Sequence, residues 1–147
     1  MILKRKIYDE LLQWKNTSDG NSVLLISGAR RVGKSYICRQ FGEAEYKSMI
    51  LIDFSNMPDM VKAIFENDRA DLDIFFAKIS AYYNTVLYKR QSLIVFDEIQ
   101  LYPMARQLLK HLVADGRYDY IETGSLISIK QNVKDILIPS EEEELGM

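Results

Sequence analysis

The sequence predicts an α/β fold with a mostly parallel sheet, and three observations carry that prediction. The runs VLLIS (23–27), SMILIDFS (48–55) and LIVFDE (93–98) are almost continuously apolar, as expected of strands covered on both faces. Between them lie stretches with apolar residues at helical spacing. The first run passes through a glycine-rich loop into one of those helical stretches, the order strand, loop, helix. A length of 147 residues suits one domain, 1–147, with one sizeable core.

The elements follow in order. Leu3, Ile7, Leu11 and Trp14 recur at steps of four, four and three, one face of a helix over 3–15. NTSDGNS (16–22) breaks it with turn-forming residues. After the first strand and its loop, Ile37 and Phe41 keep helical spacing in KSYICRQFGE. SMILIDFS is the next strand, NMPDMVKAIFEND (56–68) and LDIFFAKISAYYN (72–84) are helices, and YKRQS (88–92) is a connector. The strand LIVFDE precedes a helix with Pro103 in its first turn, Met104, Leu108 and Leu112 on one face, and Gly116 as its stop. YDYIETGS (118–125) is a further strand. No strand is expected after it, so the sheet is predicted to end one strand early, before the acidic tail PSEEEELGM (139–147).

Composition removes several classes of function. The single cysteine, Cys38, and single histidine, His111, build neither an internal disulfide nor a metal cluster. A net charge of −2 does not indicate nucleic acid as a partner. The charge is uneven, since residues 1–50 hold nine Lys/Arg against five Asp/Glu, an excess that a phosphate site would use. No apolar run approaches the roughly 20 residues of a membrane helix, and the N-terminus lacks the pattern of a signal peptide, which makes the cytoplasm the expected location.

Residues 28–35, GARRVGKS, match G-x-x-x-x-G-K-[ST] at Gly28, Gly33, Lys34 and Ser35. Glycines let the backbone curl around phosphate with its N–H groups inward, so Gly28, Ala29, Arg30, Arg31, Val32 and Gly33 are expected to cradle nucleotide. The next helix continues the cradle through Lys34, Ser35 and Tyr36. Lys34 would reach the β and γ phosphates of ATP or ADP, and Ser35 would ligate Mg²⁺. Arg30 and Arg31 are interior to such a loop and are expected to point outward, toward solvent, a partner, Glu122 or Asp53.

LIVFDE places Asp97 at the carboxyl end of a buried strand, where sheets of this kind bind ligands. Asp97 is the expected second Mg²⁺ ligand, acting through water, and Glu98 the expected base for an attacking water. Thr123, at the end of YDYIET, is expected to touch the γ phosphate or that water, with turn formation as the alternative. Ser125 follows it. Glu122 should face away from Thr123 by strand alternation, either paired with a base or just behind the site. Asp53 ends a strand and suits a turn. Tyr8 and Arg5 are candidates for the base of the nucleotide.

GARRVGKS, LIVFDEIQ and YIETGS together resemble the archaeal and bacterial AAA-type P-loop ATPases, from the helix LKRKIYDELLQWK to Ser125. Arg30, Val32, Ile99, Gln100 and Gly124 match beyond the generic loop. The resemblance implies a three-layer P-loop NTPase fold with strand order 5-1-4-3-2. It implies Asp97 on Mg²⁺, Glu98 as catalytic base, Lys34 on phosphate and Thr123 as a sensor. It also implies that the chain is the front of a longer protein whose lid and C-terminal domain supply further arginines and contacts to a protein partner or a second copy. The expected function is a nucleotide-driven switch or motor that hydrolyses ATP. A non-hydrolysing nucleotide-gated module and a helicase-like ATPase remain alternatives.

Overall fold

The computed structural model describes residues 2–27, 33–124 and 136–137, with the backbone alone given for 2–5 and 136–137. Its elements are α1 (Ile2–Ser18), β1 (Leu24–Ser27), α2 (Lys34–Glu45), β2 (Ser48–Asp53), α3 (Asp59–Asp68), α4 (Leu72–Tyr82), β3 (Ser92–Asp97), α5 (Pro103–Asp115), β4 (Asp119–Gly124) and β5 (Ile136–Leu137). Short 3-10 turns, Phe54–Asn56 and Ile99–Leu101, follow β2 and β3. The five strands lie in the order β2-β3-β4-β1-β5 and all pair in parallel. Read from the other edge, that is 5-1-4-3-2.

One expectation is corrected. The sheet does not stop at β4, because Ile136 and Leu137 pair beside Leu24 and Leu25 on the open edge of β1. Two residues are too few to show a period of two, so this strand leaves no pattern in the sequence. The glutamate run of the tail lies outside the described residues.

Strand alternation sorts the apolar side chains into two cores. Ile7, Leu11 and Trp14 of α1 and Ile37, Cys38 and Phe41 of α2 pack on Leu24, Ile26, Leu93, Val95 and Ile121. On the other face, α3, α4 and α5 pack on Ile50, Ile52, Ile94, Phe96 and Tyr120, with Phe65 edge-on to Phe54, Phe75 and Phe96. The result is three layers, helix, sheet, helix. No helix among the described residues is long and apolar enough to cross a membrane.

Boundaries follow from local chemistry. The β2 run was expected to reach residue 55, but Asp53 accepts from the Ser55 backbone N–H at 2.9 Å and its hydroxyl at 2.6 Å, which bends the chain into a 3-10 turn. β3 ends at Asp97 because Glu98 is left-handed, at φ 57°. Gly116, at φ 81°, closes α5 and takes the Leu112 carbonyl at 3.2 Å. At the opposite end of the sheet, buried Asp119 accepts from Tyr46 Oη and Arg90 Nη2, both at 2.6 Å.

Candidate nucleotide and metal site

Parallel pairing brings the carboxyl ends of β1 to β4 to one edge, and the register decides which side chains share a face there. Val95 pairs with Ile121, and Ile26 with Thr123. Asp97 and Thr123 therefore project on the side of Ile26, Val95 and Ile121, the side that α1 and α2 cover. The N-terminus of α2 stands above that edge. Its first intrahelical bond runs from the Ile37 N–H to the Gly33 carbonyl at 3.0 Å, so the helix makes no use of the N–H groups of Lys34, Ser35 and Tyr36. Gly33 sits at φ 85°, a left-handed conformation that a side chain would strain. Residues 28–32, with Arg30 and Arg31, lie outside the described residues.

Four of the expected site residues meet. Ser35 Oγ donates to Asp97 Oδ2 at 2.8 Å, and Thr123 Oγ1 donates to Asp97 Oδ1 at 2.6 Å. The Glu98 backbone N–H donates to Thr123 Oγ1 at 3.0 Å. Asp97 and Thr123 are buried, and in each case the burial is matched by hydrogen bonds. The Thr123 hydroxyl gives its one proton to Asp97 and accepts from Glu98. In this arrangement it ties Asp97 to the backbone of Glu98.

Lys34 completes the group. Its ammonium is buried, with the side chain 3% exposed, against the Gly124 carbonyl at 3.3 Å and Glu98 Oε2 at 3.5 Å. The ion pair is longer than a charge-assisted hydrogen bond of about 2.7–2.9 Å. The other Glu98 oxygen, Oε1, accepts from Gln100 Nε2 at 2.8 Å. The contact with Gln100 has no counterpart among the residues that the sequence marks as functional. The signal in the sequence was its match, within LIVFDEIQ, to the family that the chain resembles.

The donors beside Ser35 are all oxygen, and no group of three or more His, Cys, Asp or Glu side chains gathers among the described residues. A soft transition metal is poorly served by that set. Mg²⁺, which takes many of its ligands from water and phosphate, fits it.

Other candidates fall elsewhere. Glu122 is buried beside Leu25 and Phe96, on the face away from Thr123. Asp53 is held by its own turn. Tyr8 donates to Glu45 Oε2 at 2.7 Å and meets Phe41 edge-on, at the far end of α2 from Lys34. That is about 15 Å along the helix axis. The side chain of Arg5 and the whole of Ser125 lie outside the described residues. Tyr36 is 55% exposed, so its expected contribution is through the backbone.

Residues 20–139 match the family described as AAA domain. No curated protein matches the chain. Among solved structures, that of C. elegans PCH-2 is similar with a TM-score of 0.54 at 15% sequence identity, covering 92% of this chain. The likeness is one of fold. This chain spans 40% of the length of that protein.

Proposed function

The chain belongs to the AAA domain family, and from that premise we propose that it binds ATP and ADP with Mg²⁺ and hydrolyses ATP, acting as a nucleotide-driven switch or motor. The observation that carries the reading is the convergence of Lys34, Ser35, Asp97 and Glu98 at one sheet edge, at the N-terminus of α2. Membership of the family supports a nucleotide-binding, ATPase-type protein. The finer steps are our reading of the geometry.

The loop 28–33 and the first turn of α2 hold the phosphates, with Lys34 turning from Glu98 to the β and γ oxygens. Ser35 and Asp97 hold Mg²⁺, which when bound neutralises charge on those oxygens. Glu98 orients and deprotonates the attacking water. Thr123 acts through its neighbours, by fixing the Asp97 carboxylate and the Glu98 backbone. The partner is nucleotide first, and a second copy of the chain or another protein is what the nucleotide state moves.

Glu98→Gln tests the catalytic part. Hydrolysis should fall to background while ATP affinity is kept. Wild-type turnover no higher than that of the variant would remove hydrolysis and leave a nucleotide-gated binding module.

A further inference from the structure

Gln100 lies on the 3-10 turn after β3, half-buried, and neither the phosphate loop nor the metal ligands require it. Its amide and Lys34 hold Glu98 from two sides, Gln100 Nε2 on Oε1 at 2.8 Å and Lys34 Nζ against Oε2 at 3.5 Å. Nucleotide acts differently on the two. Lys34 carries the charge that phosphate attracts, so a bound phosphate competes with Glu98 for it. Gln100 is neutral and bonded to the other oxygen, and phosphate gives it no reason to leave. With Lys34 on phosphate, Gln100 remains to fix the carboxylate, while Thr123 fixes the backbone of the same residue.

A second observation concerns the rest of the amide. Gln100 Oε1 is buried and has no hydrogen-bond partner among the described residues. Turning the amide round does not cure this. An ionised carboxylate only accepts, so the rotated amide would set oxygen against oxygen. Buried acceptors without a donor are rare enough to require a reason. The fold carries that cost in order to keep Nε2 on Glu98, which marks the contact as one that the site requires.

The geometry points to Gln100 as a positioning residue for hydrolysis: Nε2 aims the carboxylate of Glu98 at the water that Glu98 deprotonates. The inference rests on the hydrolytic reading above. In the step concerned, the water oxygen bonds to the γ phosphorus and one water proton passes to Glu98. The bond from the γ phosphorus to the bridging oxygen breaks, with its electron pair left on ADP, and the products are ADP and inorganic phosphate. Gln100 neither gains nor loses a proton.

Gln100→Met keeps length and removes both hydrogen-bonding atoms. The expected result is a kcat lower by about 10- to 100-fold, the scale of a misaimed catalytic group, with KM for ATP and affinity for ADP within about twofold of wild type. The independent readout is the ¹⁵N resonance of the Gln100 side-chain amide in protein loaded with ADP and Mg²⁺, which should move on Glu98→Ala. A Gln100→Met kcat within twofold of wild type would overturn the inference, as would a resonance that ignores Glu98→Ala. A kcat loss accompanied by equal losses in KM, ADP affinity and unfolding midpoint would place Gln100 in the scaffold and overturn it as well. If wild-type protein shows no turnover above Glu98→Gln, the hydrolytic reading fails separately, and the resonance alone decides whether Gln100 holds Glu98.

Discussion

Thr123→Val removes one hydroxyl and almost nothing else, and the structure fixes what that hydroxyl does. Thr123 is fully buried; it donates to Asp97 Oδ1 at 2.6 Å and accepts from the Glu98 N–H at 3.0 Å. A short bond to a carboxylate is worth about 1.5–3 kcal/mol, and a neutral one about 0.5–1.5 kcal/mol. Asp97 keeps Ser35 at 2.8 Å, which limits the loss on that side. The valine variant should therefore be less stable by about 2–4 kcal/mol, read as a lower urea midpoint at unchanged slope. For a chain of this size that corresponds to a fall in Tm of about 5–15 °C. Thr123→Ser keeps both bonds and loses a methyl group, at about 1 kcal/mol. The order matters more than the values. A valine variant within about 0.5 kcal/mol of wild type, or one more stable than the serine variant, would refute the assignment of the hydroxyl as the tie between the two acids.

Two further predictions concern the opposite edge of the sheet and the tyrosines. Asp119→Ala should destabilise by about 3–5 kcal/mol, because it strips the acceptor from both Tyr46 and Arg90, whereas Arg90→Met leaves the buried carboxylate its bond from Tyr46 and should cost less, about 1–3 kcal/mol. Urea midpoints of the two variants check this, and equal losses would contradict it. Burial, with a hydrogen bond to Glu45, pushes the Tyr8 hydroxyl up to about 12, and burial with the neighbouring Tyr82 and Asp53 pushes Tyr83 up to about 12. Burial and the bond to Asp119 raise Tyr46 further. A folded pKa above the unfolded value of about 10 favours the neutral form, so this contribution is complete below pH 10 and is lost as pH rises toward about 12. Unfolding midpoints measured across that window should fall, and a flat profile would contradict the sign.

Much of the fold was legible because burial on both faces writes continuous apolar runs, as in β1 and β3, while helix ends are written by single residues such as Pro103 and Gly116. The spacing of Gly33, Lys34 and Ser35 marked the candidate cradle, and the strand-end positions of Asp97 and Thr123 put a carboxylate and a hydroxyl beside it. What joins them was not legible. The bonds from Thr123 to Asp97 and from Gln100 to Glu98 depend on strand register and on the left-handed turn at Glu98, which arise from pairings between distant segments. The bond from Tyr8 to Glu45 was not legible either, since a helical pattern gives a buried face and not the end of the neighbouring helix on which it lies. Strand β5, Ile136–Leu137, is too short to be read from a period of two.

The claim on which the account rests is that Lys34, at the start of α2, holds nucleotide phosphate. Its most direct test is a binding titration of the wild-type chain and of Lys34→Ala with ATP, ADP and GTP in the presence of Mg²⁺, each protein first shown to be folded by circular dichroism. Losing a charge-assisted contact of about 1.5–3 kcal/mol should weaken ATP and ADP binding by at least about tenfold. Equal affinity of the two folded proteins would contradict the account at its centre.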